Sequence, residues 1–149
     1  MAVLDKKLEL MDAAAITGIG AATVSSEVLD LGTGYNCWDV ANTPDIGEGG
    51  DLYLNVRVAT ALSTVDASPA ATVDFYTHTA AGVASGTKLI ERTIESAAAA
   101  GADVLRYKIP AGTISRYVGI VVTIGASTLA SGALDAWIGL DSESPLPTR

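Results

Sequence analysis

An antiparallel all-β sandwich of jelly-roll type, with an extended N-terminal arm, is the fold this sequence predicts. Three observations predict it. Apolar and polar residues alternate with a period of two in at least five segments, the signature of half-buried strands. No long run keeps the 3.6-residue period of a helix. Turn-forming clusters separate the alternating runs, at Gly47-Glu48-Gly49-Gly50, Asp66–Pro69, Gly82–Gly86, Pro110-Ala111-Gly112 and Gly125–Gly132, and that rhythm belongs to sandwiches and barrels rather than to βαβ units.

The elements follow in chain order. Met1–Ser26 lacks a steady period and is expected to be an arm. Its apolar residues Val3, Leu4, Leu8, Leu10 and Met11 are interleaved with Asp5, Lys6, Lys7 and Glu9. Five such side chains are costly to leave wet, so the segment is expected to dock on a neighbouring subunit. Residues 27–141 are expected to form the sandwich. Glu27–Leu31 is a weak strand. In Asp51–Leu62, Leu52, Leu54, Val56 and Val58 share one face and Tyr53, Asn55 and Arg57 the other. In Ala70–Thr79, Ala71, Val73, Phe75 and Thr77 alternate with Thr72, Asp74, Tyr76 and His78. Lys88–Ile94 is a second weak strand. Its successor, Ile94–Gly101, has four consecutive alanines but is too short to hold a helix alone, so it is read as a loop. Asp103–Ile109 sets Leu105, Tyr107 and Ile109 against Arg106 and Lys108. Ser115–Gly125 is apolar on both faces and is expected to be a central strand. Gly132–Asp141 groups Leu134, Ala136, Ile138 and Leu140. Ser142–Arg149 is a polar, proline-containing tail.

Composition narrows the function. At 149 residues the chain is one ordinary domain. Its single cysteine, Cys37, excludes an intrachain disulfide scaffold. The net charge of −8 opposes nucleic acid as a partner, because phosphate binding needs a basic stripe. Mean hydropathy is high at +0.36 and only 17% of residues are charged. No apolar run nonetheless approaches the roughly 20 residues of a membrane helix, and no signal peptide is expected. High apolarity without a membrane segment suggests a surface partly covered by partners.

Chemistry-bearing motifs are sparse. His78, the only histidine, falls on the polar face of a strand, and Cys37 has no base beside it in sequence. Neither is expected to act catalytically, and one His with one Cys is too few for a zinc site. Gly18-Ile19-Gly20 lacks the third glycine and flanking elements of a dinucleotide loop. Asp39, Asp45, Glu48 and Asp51 share a glycine-rich stretch that a hard cation could use, but their spacing matches no EF-hand. No catalytic residue, cofactor or metal is therefore assigned. Trp38 and Trp137 are read as core or interface anchors.

Several segments together carry a family resemblance: MAVLDKKLELMDAAAI at the start, VLDLG at 28–32, IGEGGDLYLNVRV at 46–58, KIPAGTISRYVGIVVTIG at 108–125 and ASGALDAWIGLD at 130–141. The chain resembles the capsid cement, or decoration, proteins of tailed bacteriophages, in particular the jelly-roll cement family of a Bordetella phage. The resemblance implies a non-enzymatic structural virion protein that binds the outer capsid surface and bridges subunits of the major capsid protein. It implies localisation in the virion after assembly in the host cytoplasm. Self-association is expected as a homodimer, with a trimer as the alternative. Val3, Leu4, Leu8, Leu10, Met11 and Trp38 are the expected capsid or subunit interface. The competing expectation is a carbohydrate- or receptor-binding β-module of a virion or cell surface, which would use Trp38, Tyr35 and Tyr53.

Overall fold

The fold comes from a computed structural model that describes residues 8–19, 22–32, 34–35, 41–42, 51–64, 69–125 and 128–140. Eleven strands are described: β1 (Glu9–Ala15), β2 (Thr23–Ser25), β3 (Leu29–Asp30), β4 (Gly34–Tyr35), β5 (Ala41–Asn42), β6 (Leu52–Thr64), β7 (Ala71–His78), β8 (Thr87–Ile94), β9 (Asp103–Lys108), β10 (Tyr117–Ile124) and β11 (Leu129–Leu140). The first sheet runs β1-β11-β6-β9. The second runs β2-β10-β7-β8, with β3 also on β10. Among the described residues β4 and β5 pair only with each other.

All the pairings are antiparallel. With the short β3, β4 and β5 set aside, eight strands remain. Counted in chain order, the first sheet reads first, eighth, third, sixth, and the second reads second, seventh, fourth, fifth. The first strand therefore pairs the last, the second the seventh, and so inward, which is a jelly roll closed over one core.

The alternation read from the sequence sets the core. Leu54, Val56 and Val58 of β6, with Leu134 and Ile138 beside them on β11, face Val73 and Phe75 of β7 and Val118, Ile120, Val122 and Ile124 of β10; none is more than 1% exposed. β10 lies between β2 and β7, the central place its two apolar faces predict. Thr77 is the polar exception inside. Its hydroxyl donates to the Tyr117 carbonyl at 3.2 Å and accepts from the Ser115 N–H at 2.7 Å, so it is satisfied. Residues 95–102 form turns rather than a helix, bonded along β6 through Leu62 N–H to Ala98 O and Gly101 N–H to Val58 O.

The arm expectation requires correction. Glu9–Ala15 is the edge strand of the first sheet, and Leu10, Met11 and Ile16 are buried at 2%, 3% and 0%. β2 likewise belongs to the second sheet, so the sandwich begins at least as early as Glu9 rather than at residue 27. The sequence pattern failed because β1 is bulged. From Glu9 to Met11 it advances two residues while β11 advances one, and from Met11 to Ala14 three against two. Each extra residue breaks the period of two, which lets the neighbours Leu10 and Met11 both point inward. Ala13 takes a positive φ of 42° there, and its N–H donates to Asp135 Oδ1 at 2.7 Å. Residues 1–7 and the 142–149 tail lie outside the described residues.

Candidate interaction surfaces

The two outer faces carry what the core rejects. On the first sheet the register sets Glu9, Trp137, Asn55 and Arg106 in one row across all four strands. Trp137 points away from the core yet is only 5% exposed. Beside it the Arg106 guanidinium lies 5.4 Å from the centre of the Tyr53 ring, a cation–π distance. Lys108 pairs with Asp51, which raises the lysine's pKa. Arg57 donates from Nε to the Gly101 carbonyl at 3.0 Å.

The second sheet's outer face centres on Asp74, a carboxylate buried to 6% exposure. Lys88 Nζ sits 3.0 Å from its Oδ2 and 2.6 Å from Glu91 Oε2, while Asp74 Oδ1 is buried with no hydrogen-bond partner among the described residues. These contacts raise the Lys88 pKa, with the Glu91 hydrogen bond as the larger cause. The chain between β7 and β8 folds over this face. A 3-10 turn, Val83–Ser85, drops Val83 against β10 at Gly119, where a Cβ would stand 2.8 Å from Val83 Cγ2. Only glycine leaves that space. His78 lies on the same face and accepts the Ala80 N–H through Nδ1 at 2.7 Å, shaping the turn that follows.

The sheet edges are unequal. β1 carries two bulges, β8 one at Leu89 and β9 one at Val104. Exposed charges line the last two: Lys88, Glu91 and Arg92 on β8, Asp103, Arg106 and Lys108 on β9. Bulges and edge charges both discourage a foreign strand from pairing. β2 meets β10 without a register shift and carries Thr23 and Ser25, both uncharged and exposed. β1 and β2 are edges on the same side of the sandwich, bridged where Glu27 N–H donates to the Leu10 carbonyl at 3.2 Å. Beside that bridge opens a cleft of about 370 Å³, lined by Glu9, Leu10, Met11, Asp12, Ala14, Ser25, Ser26 and Glu27.

Of the expected interface residues, Leu8, Leu10 and Met11 are described. Leu10 and Met11 are core, buried at 2% and 3% exposure, and Leu8 is half-buried against it. Val3, Leu4, Cys37 and Trp38 lie outside the described residues, as do Asp39, Asp45 and Glu48 of the acidic loop. The side chain of Tyr35 is likewise not described. Among the described residues no group of three His, Cys, Asp or Glu is placed to hold a metal, and no helix is long and apolar enough to cross a membrane. The cleft carboxylates were missed by sequence reasoning. Asp12 and Glu27 are fifteen positions apart, and nothing in the pattern signals that β1 and β2 become neighbours across the two sheets.

Fold and surface together define an antiparallel jelly-roll module with broad outer faces and mostly blunted edges. The chain belongs to the Bbp16 family, whose model matches residues 10–138, from the first strand of the sandwich into the last. That membership is consistent with a protein of a Bordetella phage. A search of curated proteins finds no match to the chain.

Proposed function

We propose that this protein is a non-enzymatic capsid cement protein, which binds the outer surface of a tailed-phage shell and bridges subunits of the major capsid protein. The observation that carries this reading is the family match over residues 10–138, which spans nearly all of the jelly roll. The fold supports it physically, since a rigid two-sheet module suits a ligand that must hold two subunits at a fixed distance.

The mechanism is linkage. A ligand that binds only the intact lattice stabilises it by RT ln(1 + [L]/Kd), about 4 kcal/mol per site at a thousandfold excess. Repeated over many sites, modest affinity resists the outward pressure of packaged nucleic acid. Bridging adds avidity, because the second contact forms at high effective concentration. Self-association as a dimer, the commonest closed symmetry, would supply two identical feet. With β1, β8 and β9 blunted, the pairing surface of such a dimer is a sheet face rather than those edges.

Particles prepared with and without this protein test the reading. Electron micrographs should show added density outside the shell, and the bare particles should lose their genome at lower temperature. Equal thermal stability of both preparations, with no added density, would remove the proposal. Native mass spectrometry should give about twice the 15.1 kDa chain mass, and a monomer in solution and in separate feet on the shell would remove the dimer.

A further inference from the structure

We propose that the cleft between β1 and β2 seats an extended, lysine- or arginine-bearing segment of the shell subunit, which adds as a short strand beside β2. The identity of the partner rests on the shell-binding reading; the chemistry of the site rests on the cleft alone. Three features converge on it. First, among the described residues no strand pairs with the outer edge of β2. The ladder to β10 bonds through Ser26 N–H to Ile120 O and Ile124 N–H to Ala22 O, so the alternation of an antiparallel pair turns the N–H and C=O of Thr23 and Ser25 outward. Second, the edge is regular and uncharged, guarded by its short length rather than by a bulge or a charge. β1, β8 and β9 each carry at least one bulge, whereas β2 has none and presents uncharged side chains. An edge that is flat and uncharged where the other three main edges are bulged can accept a short added strand. Third, the charge is one-sided. Every charged residue described in the lining is acidic, namely Glu9, Asp12 and Glu27, on a chain of net charge −8. With β2 only three residues long, the added strand is short. Alternate side chains of a strand point to one face, so a basic residue at every second position would meet the carboxylates of the cleft.

The test uses the full chain, labelled with 15N, and two blocked pentapeptides, one alternating lysine with valine and the other glutamate with valine. The lysine peptide should shift the amide resonances of Thr23 and Ser25 in a saturable manner, and the glutamate peptide should not. Asp12→Asn with Glu27→Gln should weaken lysine-peptide binding roughly three- to tenfold, the scale of two exposed charge pairs, and 0.5 M salt, added as a control, should do likewise. Shifts that miss residues 23–27, equal binding of both peptides, or an unweakened double variant would each overturn the proposal. Cosedimentation with bare shells separates the two readings. If the wild type binds shells but neither peptide, the cleft proposal fails and the shell reading stands. If the lysine peptide binds as expected but shells do not, the shell reading fails, and with it the shell subunit as partner, while the chemistry of the cleft stands.

Discussion

β10 and β1 bury aliphatic side chains of similar size by opposite means. β10 is held on both sides, by β2 and β3 along one edge and by β7 along the other, in unbroken register from Tyr117 opposite His78 to Ile124 opposite Ala71. Among the described residues β1 is held on one side only, and its pairing to β11 slips twice. The first is rigid because every residue has a partner across the ladder. The second buries Leu10 and Met11 by spending backbone regularity, with Asp135 bonding an N–H that the bulge frees. The regular β10 thus anchors the core of the second sheet, and the bulged β1 closes the edge of the first while discouraging further pairing.

The largest effect should come from removing β1 outright. Deletion of Met1–Ala15 uncovers β11 and strips Leu10 and Met11 from the core, so the truncated chain should show no cooperative thermal transition. A truncated chain that melts like the full one would return this segment to the role of an arm. Point substitutions then grade the two strands. Ile120→Ala in β10 should cost about 4 kcal/mol and Leu10→Ala in β1 about 2 kcal/mol, opposite ends of the range for such truncations. The bulged edge can relax into the space that Leu10 leaves, whereas the neighbours of Ile120 are fixed. Urea denaturation measures both, and equal costs would mean that the bulges confer no compliance.

This contrast also decides what the sequence could reveal. In β7 and β10, and in the regularly paired stretches 52–58 of β6 and 134–139 of β11, every second residue faces the core, so Leu54-Val56-Val58 or Val118-Ile120-Val122 announce their strands directly. In β1 the two inserted residues place Leu10 and Met11 side by side, a pattern that resembles no regular element. β2 and β3, at three and two residues, are too short for a period to emerge. The interaction surface was harder still. Asp12 and Glu27 become neighbours only because the first strand and the second end on the same side of different sheets, a consequence of topology rather than of local pattern. Asp74 looked like an ordinary outward residue of β7, and its burial depends on what Lys88 and Glu91 of β8 do above it.

A smaller pair of effects should isolate the bulge itself. Ala13→Gly should stabilise the fold by up to about 1 kcal/mol, because glycine holds the positive φ without the Cβ clash an L-residue suffers. Asp135→Ala should cost about 1 kcal/mol by leaving the Ala13 N–H without its acceptor. The two changes meet at one peptide group, so a double-mutant cycle should show coupling rather than addition. Strict additivity would mean that the hydrogen bond and the positive φ are independent features of the strand.

The smallest effect belongs to the far end of β10, where Arg116 fixes β3. Its Nε and Nη2 donate to Asp30 Oδ1 and Oδ2, each at 2.8 Å, and the Gly32 N–H donates to Asp30 Oδ1 at 2.8 Å. The Arg116 hydrogen bonds, and after them the Gly32 N–H, lower the Asp30 pKa from 3.8 to about 2. A carboxyl depressed in the folded state binds its proton more readily when unfolded, so its contribution is complete above the unfolded value of 3.8. That contribution is lost as the pH falls from there through about 2. The pair is exposed, so the effect is screened and small. Asp30→Asn should lower the melting temperature slightly at neutral pH, and its curve should approach the wild type's as the solution is acidified. Melting curves that remain parallel down to pH 2 would show that Asp30 carries no folding-linked proton. The regular strand would then owe the fixing of β3 to its ladder alone.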